Sequence, residues 1–191
     1  MALMVTEERR RDYEFVGGNL ALDFANTVHS LGEIDPGDDL ETWADLLAWG
    51  HAAGVLKKFE AGDGDLGRFK ELRATIYELF SASSAKRKNA LETFNRHLQA
   101  TMASAHLKRE SGAYQLKPGR ADAEGQLHFE ITRAAADLLL FSPSDRIRQC
   151  AGETCTWLFL DTSRNGSRRW CEMSACGNRA KIRRFRRRQA S

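Results

Sequence analysis

All four cysteines of the chain fall in one 27-residue window near the C-terminus, and a strongly basic tail follows at once. They read Cys150-x4-Cys155, then fifteen residues, then Cys171-x4-Cys176. Two close pairs with a medium span between them suit tetrahedral thiolate binding of zinc, because each pair turns tightly enough to aim two sulfurs at one point. No histidine lies nearby, since all five occur at or before His128. The predicted ligands are therefore Cys150, Cys155, Cys171 and Cys176, holding one structural Zn²⁺ with no open position for catalysis. Two disulfides in three possible connectivities are the alternative; the spacing and a reducing compartment favour the metal.

Beyond the second pair, Lys181-Ile-Arg-Arg-Phe-Arg-Arg-Arg188 places six positive charges in eight residues. Residues 141–191 hold 12 Lys+Arg against 4 Asp+Glu, a local +8, whereas the other 140 residues hold 17 against 22, hence −5. Such a split points to an anionic partner for one end only. No acidic residue follows Glu172, and a merely solvated helix would alternate its signs for i,i+4 pairing. The candidate nucleic-acid contacts are Arg168, Arg169, Arg179, Lys181, Arg183, Arg184, Arg186, Arg187 and Arg188. Neutralising about five to seven phosphates, they would make affinity steeply salt-dependent. Double-stranded DNA is the leading partner; RNA, or docking on an acidic protein surface, remains open.

These groups need a scaffold. The expected fold class is α+β: a predominantly helical N-terminal domain with a small β-sheet, plus a C-terminal, treble-clef-like zinc finger with four cysteine ligands. Residues 1–142 form the first domain and 143–191 the finger, divided at Ser142-Pro-Ser144. Glu14 to Gly18 reads as a short strand and turn, and Leu20, Phe24, Val28 and Leu31 recur at helical spacing. Further helices are predicted over about 40–55, 66–83 and 86–107, with loops at Asp35–Asp39 and Glu60–Asp65. Ala113–Lys117 and Gly125–Phe129 suggest a hairpin that could pair with the strand near Phe15. Helical spacing returns from Ile131 to Leu140.

Within the finger, Thr156–Leu160 is a β-prone run, Asp161–Ser167 is rich in turn formers, and Arg168–Trp170 can return as a second strand. Ser174 is the predicted N-cap of a final helix whose Asn178, Ile182 and Phe185 face inward. So apolar-poor a segment should depend on its metal, and losing a cysteine should unfold it while sparing most of the helical signal. Gly17, Gly18, Asp23 and Asn26, with Thr27, make the candidate pocket for a small-molecule effector; turn formation and the capping of backbone donors compete for the same residues.

The N-terminus becomes charged too soon for a signal peptide, and no apolar run reaches 18 residues, so a cytoplasmic protein is expected. No nucleophile–base pair, HExxH or phosphate-cradling glycine loop stands out, so no enzymatic activity is expected.

Cys171-Glu-Met-Ser-Ala-Cys-Gly-Asn-Arg179, preceded by Trp157-Leu-Phe-Leu-Asp-Thr-Ser-Arg-Asn165 and Arg168-Arg-Trp170, resembles the CGNR zinc-finger family. Phe15-Val-Gly-Gly-Asn-Leu-Ala-Leu-Asp-Phe-Ala-Asn-Thr-Val28 and Asp39-Leu-Glu-Thr-Trp43 resemble the ABATE domain that precedes such fingers. All four zinc positions of that family are present. The resemblance implies a stress-linked transcription regulator.

Overall fold

The structure is a computed structural model and describes residues 13–29, 37–57, 62–81 and 84–189. Five helices build the first part: α1 (Leu20–Ala25), α2 (Trp43–Ala52), α3 (Leu66–Ser81), α4 (Ser84–Met102) and α5 (Ala123–Phe141). A hairpin of β1 (His106–Glu110) and β2 (Ala113–Lys117) separates α4 from α5. The finger adds β3 (Ile147–Gln149), β4 (Leu158–Leu160) and α6 (Asn178–Gln189).

Side-chain caps set where the helices begin. Asn19 accepts the amide of Ala21 at the start of α1, and Thr42 and Asp45 form a reciprocal capping box on α2. Asp122 accepts the Gly125 amide at 2.8 Å and so starts α5. That cap corrects the expected hairpin. Gly125–Phe129 alternates like a strand, yet it forms the first turns of α5, burying Leu127, His128 and Phe129.

β2 pairs upstream with β1 instead, across a two-residue turn in which Ser111 and Gly112 both have positive φ, as a tight hairpin turn requires. The predicted fourth helix stops at Met102 accordingly. Neither hairpin strand pairs with Phe15, and no strand forms at Glu14–Gly18. The first predicted helix is shorter than its periodicity suggests, ending at Ala25; Leu31 lies outside the described residues, as do parts of both predicted loops.

The short helix α1 is central. Ala21, Leu22, Phe24 and Ala25 are almost completely buried, between α3, α5 and β4. Phe24 meets Trp49 with ring centroids 5.2 Å apart and Phe69 edge-on at 6.4 Å. Leu72, Ile76, Leu127, Ile131 and Leu138 complete this core, whereas Leu91 of α4 is exposed.

The strand β4 belongs to two cores at once. Successive side chains of a strand point to opposite faces. Leu158 and Leu160 accordingly join the helical core, while Trp157 and Phe159 lie with Cys150, Cys171 and Cys176. β4 pairs with β3, so the first cysteine pair sits in the connection of that hairpin. The expected pairing of Thr156–Leu160 with Arg168–Trp170 does not form. There the chain makes only single backbone bonds, such as Ala151 N–H to the Arg169 carbonyl at 2.8 Å.

Candidate metal centre and basic helix

The β3–β4 connection folds tightly enough to bring Cys150 and Cys155 together. The Cys150 amide donates to the Trp157 carbonyl at 2.8 Å and the Cys155 amide to the Gly152 carbonyl at 3.3 Å. Gly152 is required by close approach, since a Cβ there would stand 2.9 Å from the Cys155 Cβ and 3.3 Å from the Cys176 Sγ. Of the second pair, Cys171 lies just ahead of a single π-helical turn, Met173–Gly177, and Cys176 lies within it; the Gly177 amide closes that turn on the Glu172 carbonyl at 3.1 Å. The side chain of Met173 fills the place a Cβ on Gly177 would need.

The four sulfurs lie within 4.8 Å of one another, and Cys171 Sγ is 3.7 Å from both Cys155 Sγ and Cys176 Sγ. Zn–S bonds of about 2.3 Å at tetrahedral angles require sulfur separations of about 3.8 Å. The donor set therefore fits one four-coordinate zinc ion. Its outer hydrogen bonds fit as well: Cys150 Sγ accepts the amides of Gly152 at 3.4 Å and Cys171 at 3.3 Å, and Cys176 Sγ accepts Arg179 Nη2 at 3.0 Å. The sulfurs crowd one another electrically. Hydrogen bonds from the Cys155 and Cys171 thiols hold Cys150 far below the ordinary thiol value, and the same pairings with Cys150 push Cys155 and Cys171 up. A dication at the centre is the group that lets all four be thiolates.

The loop after β4 hangs on one carboxylate. Asp161, 2% exposed, accepts the Ser163 hydroxyl at 2.6 Å and the amides of Ser163 and Arg168, and the Ser163 hydroxyl leads the interactions that lower its pKa. Ser163 and Asn165 belong to a turn that the Gly166 amide closes on the Ser163 carbonyl at 3.1 Å.

Arg168, expected among the nucleic-acid contacts, is turned inward. Its guanidinium stacks on Phe159 at 4.5 Å and donates to the carbonyls of Val16, at 2.9 Å, Trp170 and Cys171. Arg169 remains on the surface beside Trp170.

The α6 helix also departs from expectation. Ser174 does not cap it; the π-turn precedes it and Asn178 begins it. Its Asn178/Ile182/Phe185 stripe faces solvent, with Ile182 51% and Phe185 62% exposed. Asn178 is exposed and donates to the Ser174 carbonyl at 2.9 Å. The half-buried side is that of Ala180 and Arg183, and Arg183 Nε sits 3.2 Å from Glu153 Oε2. Lys181, Arg184, Arg186 and Arg188 are exposed and have no acidic partner among the described residues.

The finger is bound to the helical part through buried polar contacts. The Asn26 side chain donates to the Leu158 carbonyl and accepts the Leu158 amide, each at 2.8 Å. The Leu160 amide reaches the Gly17 carbonyl at 2.8 Å, Trp157 Nε1 the Val28 carbonyl at 3.2 Å, and the Tyr77 hydroxyl the Thr156 carbonyl at 3.1 Å. The candidate effector residues sit in this seam. Asp23 accepts the Gly17 amide at 2.7 Å, and burial, only partly opposed by that bond, pushes its pKa up to about 6. Gly18, at φ +74°, turns the chain past Leu160. Asp23 and Asn26 therefore direct their polar groups at the backbone.

An adjacent cleft of about 360 Å³ lies between the two parts, lined by His29, Asp39, Trp157, Glu172, Arg179 and three of the cysteines among others. Asp39 holds His29 at 2.9 Å and its hydrogen bond raises the histidine pKa.

A second polar group escaped the sequence reading. Thr101 Oγ1, His128 Nδ1, His128 Nε2 and His97 Nδ1 form a buried chain with contacts of 2.7 and 3.0 Å, and His97 Nε2 lies 3.4 Å from Glu71. Burial lowers both histidine pKa values, that of His128 to about 3, so both rings are neutral near pH 7. With the Glu71 carboxylate accepting at one end, each ring donates toward Glu71 and Thr101 donates to His128. The residues stand 27 and 31 positions apart in pairs, and no local spacing marks them.

Comparison with known proteins agrees with this architecture. Residues 18–140 match the ABATE family, described as "Putative stress-induced transcription regulator", and residues 146–189 match the CGNR zinc finger. No curated protein matches the chain.

Proposed function

This chain belongs to the ABATE family and carries a CGNR zinc finger, and we propose that it is a transcription regulator that holds double-stranded DNA through α6. One observation carries the reading: a metal-anchored helix presents Lys181, Arg184, Arg186 and Arg188 to solvent with no acid among the described residues to neutralise them. A phosphate backbone is the partner that such a surface fits, because each neutralised phosphate releases counterions. The zinc ion supplies no reaction here; bound by four thiolates, it fixes the turn from which α6 departs. The helical part acts as the regulatory body, and its grip on Leu158 and Leu160 sets the finger's position. An effector reaching the cleft beside Trp157 and Arg179 would act on both parts together. No helix among the described residues is long and apolar enough to cross a membrane; the proposal places the protein in the cytoplasm, without enzymatic activity.

The test is fluorescence anisotropy of a labelled duplex of mixed sequence with the zinc-loaded full chain. With Arg168 turned inward, about four to six phosphates are contacted, so log affinity falls against log salt with a slope of about −3.6 to −5.4. Replacing Arg184, Arg186 and Arg188 together by Ala flattens the slope by up to about three units. An affinity that ignores salt and survives the triple substitution would overturn the reading in favour of protein docking.

A further inference from the structure

Ile182 and Phe185, on the outward stripe of α6, pack into neither apolar cluster of the described residues. At about 100° per residue, Asn178, Ile182, Phe185 and Gln189 fall within about 60° of arc. This ridge lies opposite Ala180 and Arg183, the side turned toward the finger. Lys181 and Arg188 flank the ridge on one side, Arg179 and Arg186 on the other. Ile182 and Phe185 are thus large apolar side chains at 51% and 62% exposure, set between two rows of cations. An occupant that covers them must be polyanionic at its edges and apolar at its centre.

We propose that this ridge lies in the major groove of double-stranded DNA, where Ile182 and Phe185 contact thymine methyl groups while the flanking cations hold the two phosphate strands. The proposal rests on the DNA-binding reading above and adds to it a source of sequence preference. The groove is about 12 Å wide and admits a helix, and its floor exposes the thymine C5-methyl as the apolar feature. From Asn178 to Gln189 the ridge runs about 16 Å, so it spans about five base pairs. The minor groove, about 6 Å wide, does not admit a helix, and the deep, narrow major groove of duplex RNA closes the same route there. Gln189 at the far end can take an adenine edge. Asn178 has its amide nitrogen on the Ser174 carbonyl at 2.9 Å, which turns its oxygen into the acceptor for a base amino group. Because the finger lies behind the ridge, nothing among the described parts of it obstructs the approach.

The experiment begins with enrichment of random-sequence duplexes on the zinc-loaded full chain. The enriched duplex is then compared with the same duplex carrying deoxyuridine for thymine, which removes only the C5-methyl. Each contacted methyl should contribute about fourfold in affinity, as burial of one such group does. The wild-type chain should lose that factor on the uracil duplex. The Ile182→Ala/Phe185→Ala variant should bind both duplexes alike with an unchanged salt slope, and its zinc content and Tm should match the wild type because both residues are exposed. Enrichment without a thymine requirement, equal wild-type affinity for the two duplexes, or a variant that still discriminates would each overturn the ridge while leaving salt-dependent DNA binding intact. Equal binding of duplex RNA would overturn it too, as would anionic vesicles bound in a Phe185-dependent manner while DNA binding ignores that residue. If the full chain binds no duplex at any salt, the functional reading falls together with the ridge.

Discussion

The helical part and the finger are held together by different means, and the contrast explains most of the molecule. The helical part buries Phe24, Trp49, Phe69, Leu72, Ile76, Leu127 and Ile131 around α1, an ordinary apolar core. Among the described residues, the finger's own core buries Trp157 and Phe159 as its large side chains, with sulfur beside them and the half-buried Trp170 and Val16 packed against it. A core that small cannot seat the apolar residues of α6 as well, so Ile182 and Phe185 stay outside. The finger obtains the rest of its support by lending β4 to its neighbour: Leu158 is buried in the helical core and its backbone is matched by Asn26. A unit built around four cysteines and a hydrophobic one therefore share a strand.

The largest effect should come from breaking the metal centre. Cys171→Ser should reduce zinc from about one ion per chain to none and open the segment after Ser144 to limited proteolysis, since four thiolates make one site. Retained zinc with an intact finger would contradict the ligand set. Next is the seam. Asn26→Ala leaves a buried donor and acceptor of Leu158 unmatched and should cost about 2–5 kcal/mol in urea unfolding. The exposed Asn178→Ala should change stability by under about 0.5 kcal/mol.

The buried histidines give a smaller, pH-dependent effect confined to the helical part. The native pKa of His128, about 3, lies below the ordinary value of 6.5, so protons bind the unfolded chain preferentially. Its stabilising share is complete above about pH 6.5 and is lost as pH falls toward 3, by up to about 1.4 kcal/mol per pH unit. Asp23, raised to about 6, works in the opposite direction below that pH. The informative quantity is thus the difference between wild type and His128→Gln, whose stability should fall less steeply from pH 6.5 to 4. Parallel curves would remove His128 from the account. A last comparison separates two arginines. Arg168→Ala should destabilise the finger by about 1–3 kcal/mol and spare the salt slope of DNA binding. Arg184→Ala should spare stability and flatten that slope by about one unit. The reverse pattern would undo the assignment of inward and outward cations.

Much of this was legible in the sequence, because ligand chemistry and helical periodicity are local. The cysteine spacing named the metal site, the helical spacing from Ile131 falls within α5 although Leu140 at its end is exposed, and the CGNR and ABATE motifs match the families to which the chain is assigned. What failed was phase and partnership. Gly125–Phe129 fits both periods, and only the Asp122 cap decides for helix. The π-turn at Met173–Gly177 starts α6 out of the phase that a Ser174 cap would give. The Asn26–Leu158 pairing joins residues 132 positions apart, and the His97–His128 contact is equally invisible to any local pattern.

The shared strand is the claim most open to a direct test. Thermal unfolding of the full chain, followed by helical circular dichroism with zinc bound and again after chelation, measures whether the metal reaches the helical core. Loss of the finger withdraws Leu158 and Leu160 from that core and leaves Asn26 unmatched. Chelation should therefore preserve most of the helical signal at low temperature but lower the helical Tm by several degrees, about 2–4 °C for each kcal/mol lost. A helical transition that stays at the same temperature without zinc would contradict the shared strand and make the finger an independent appendage.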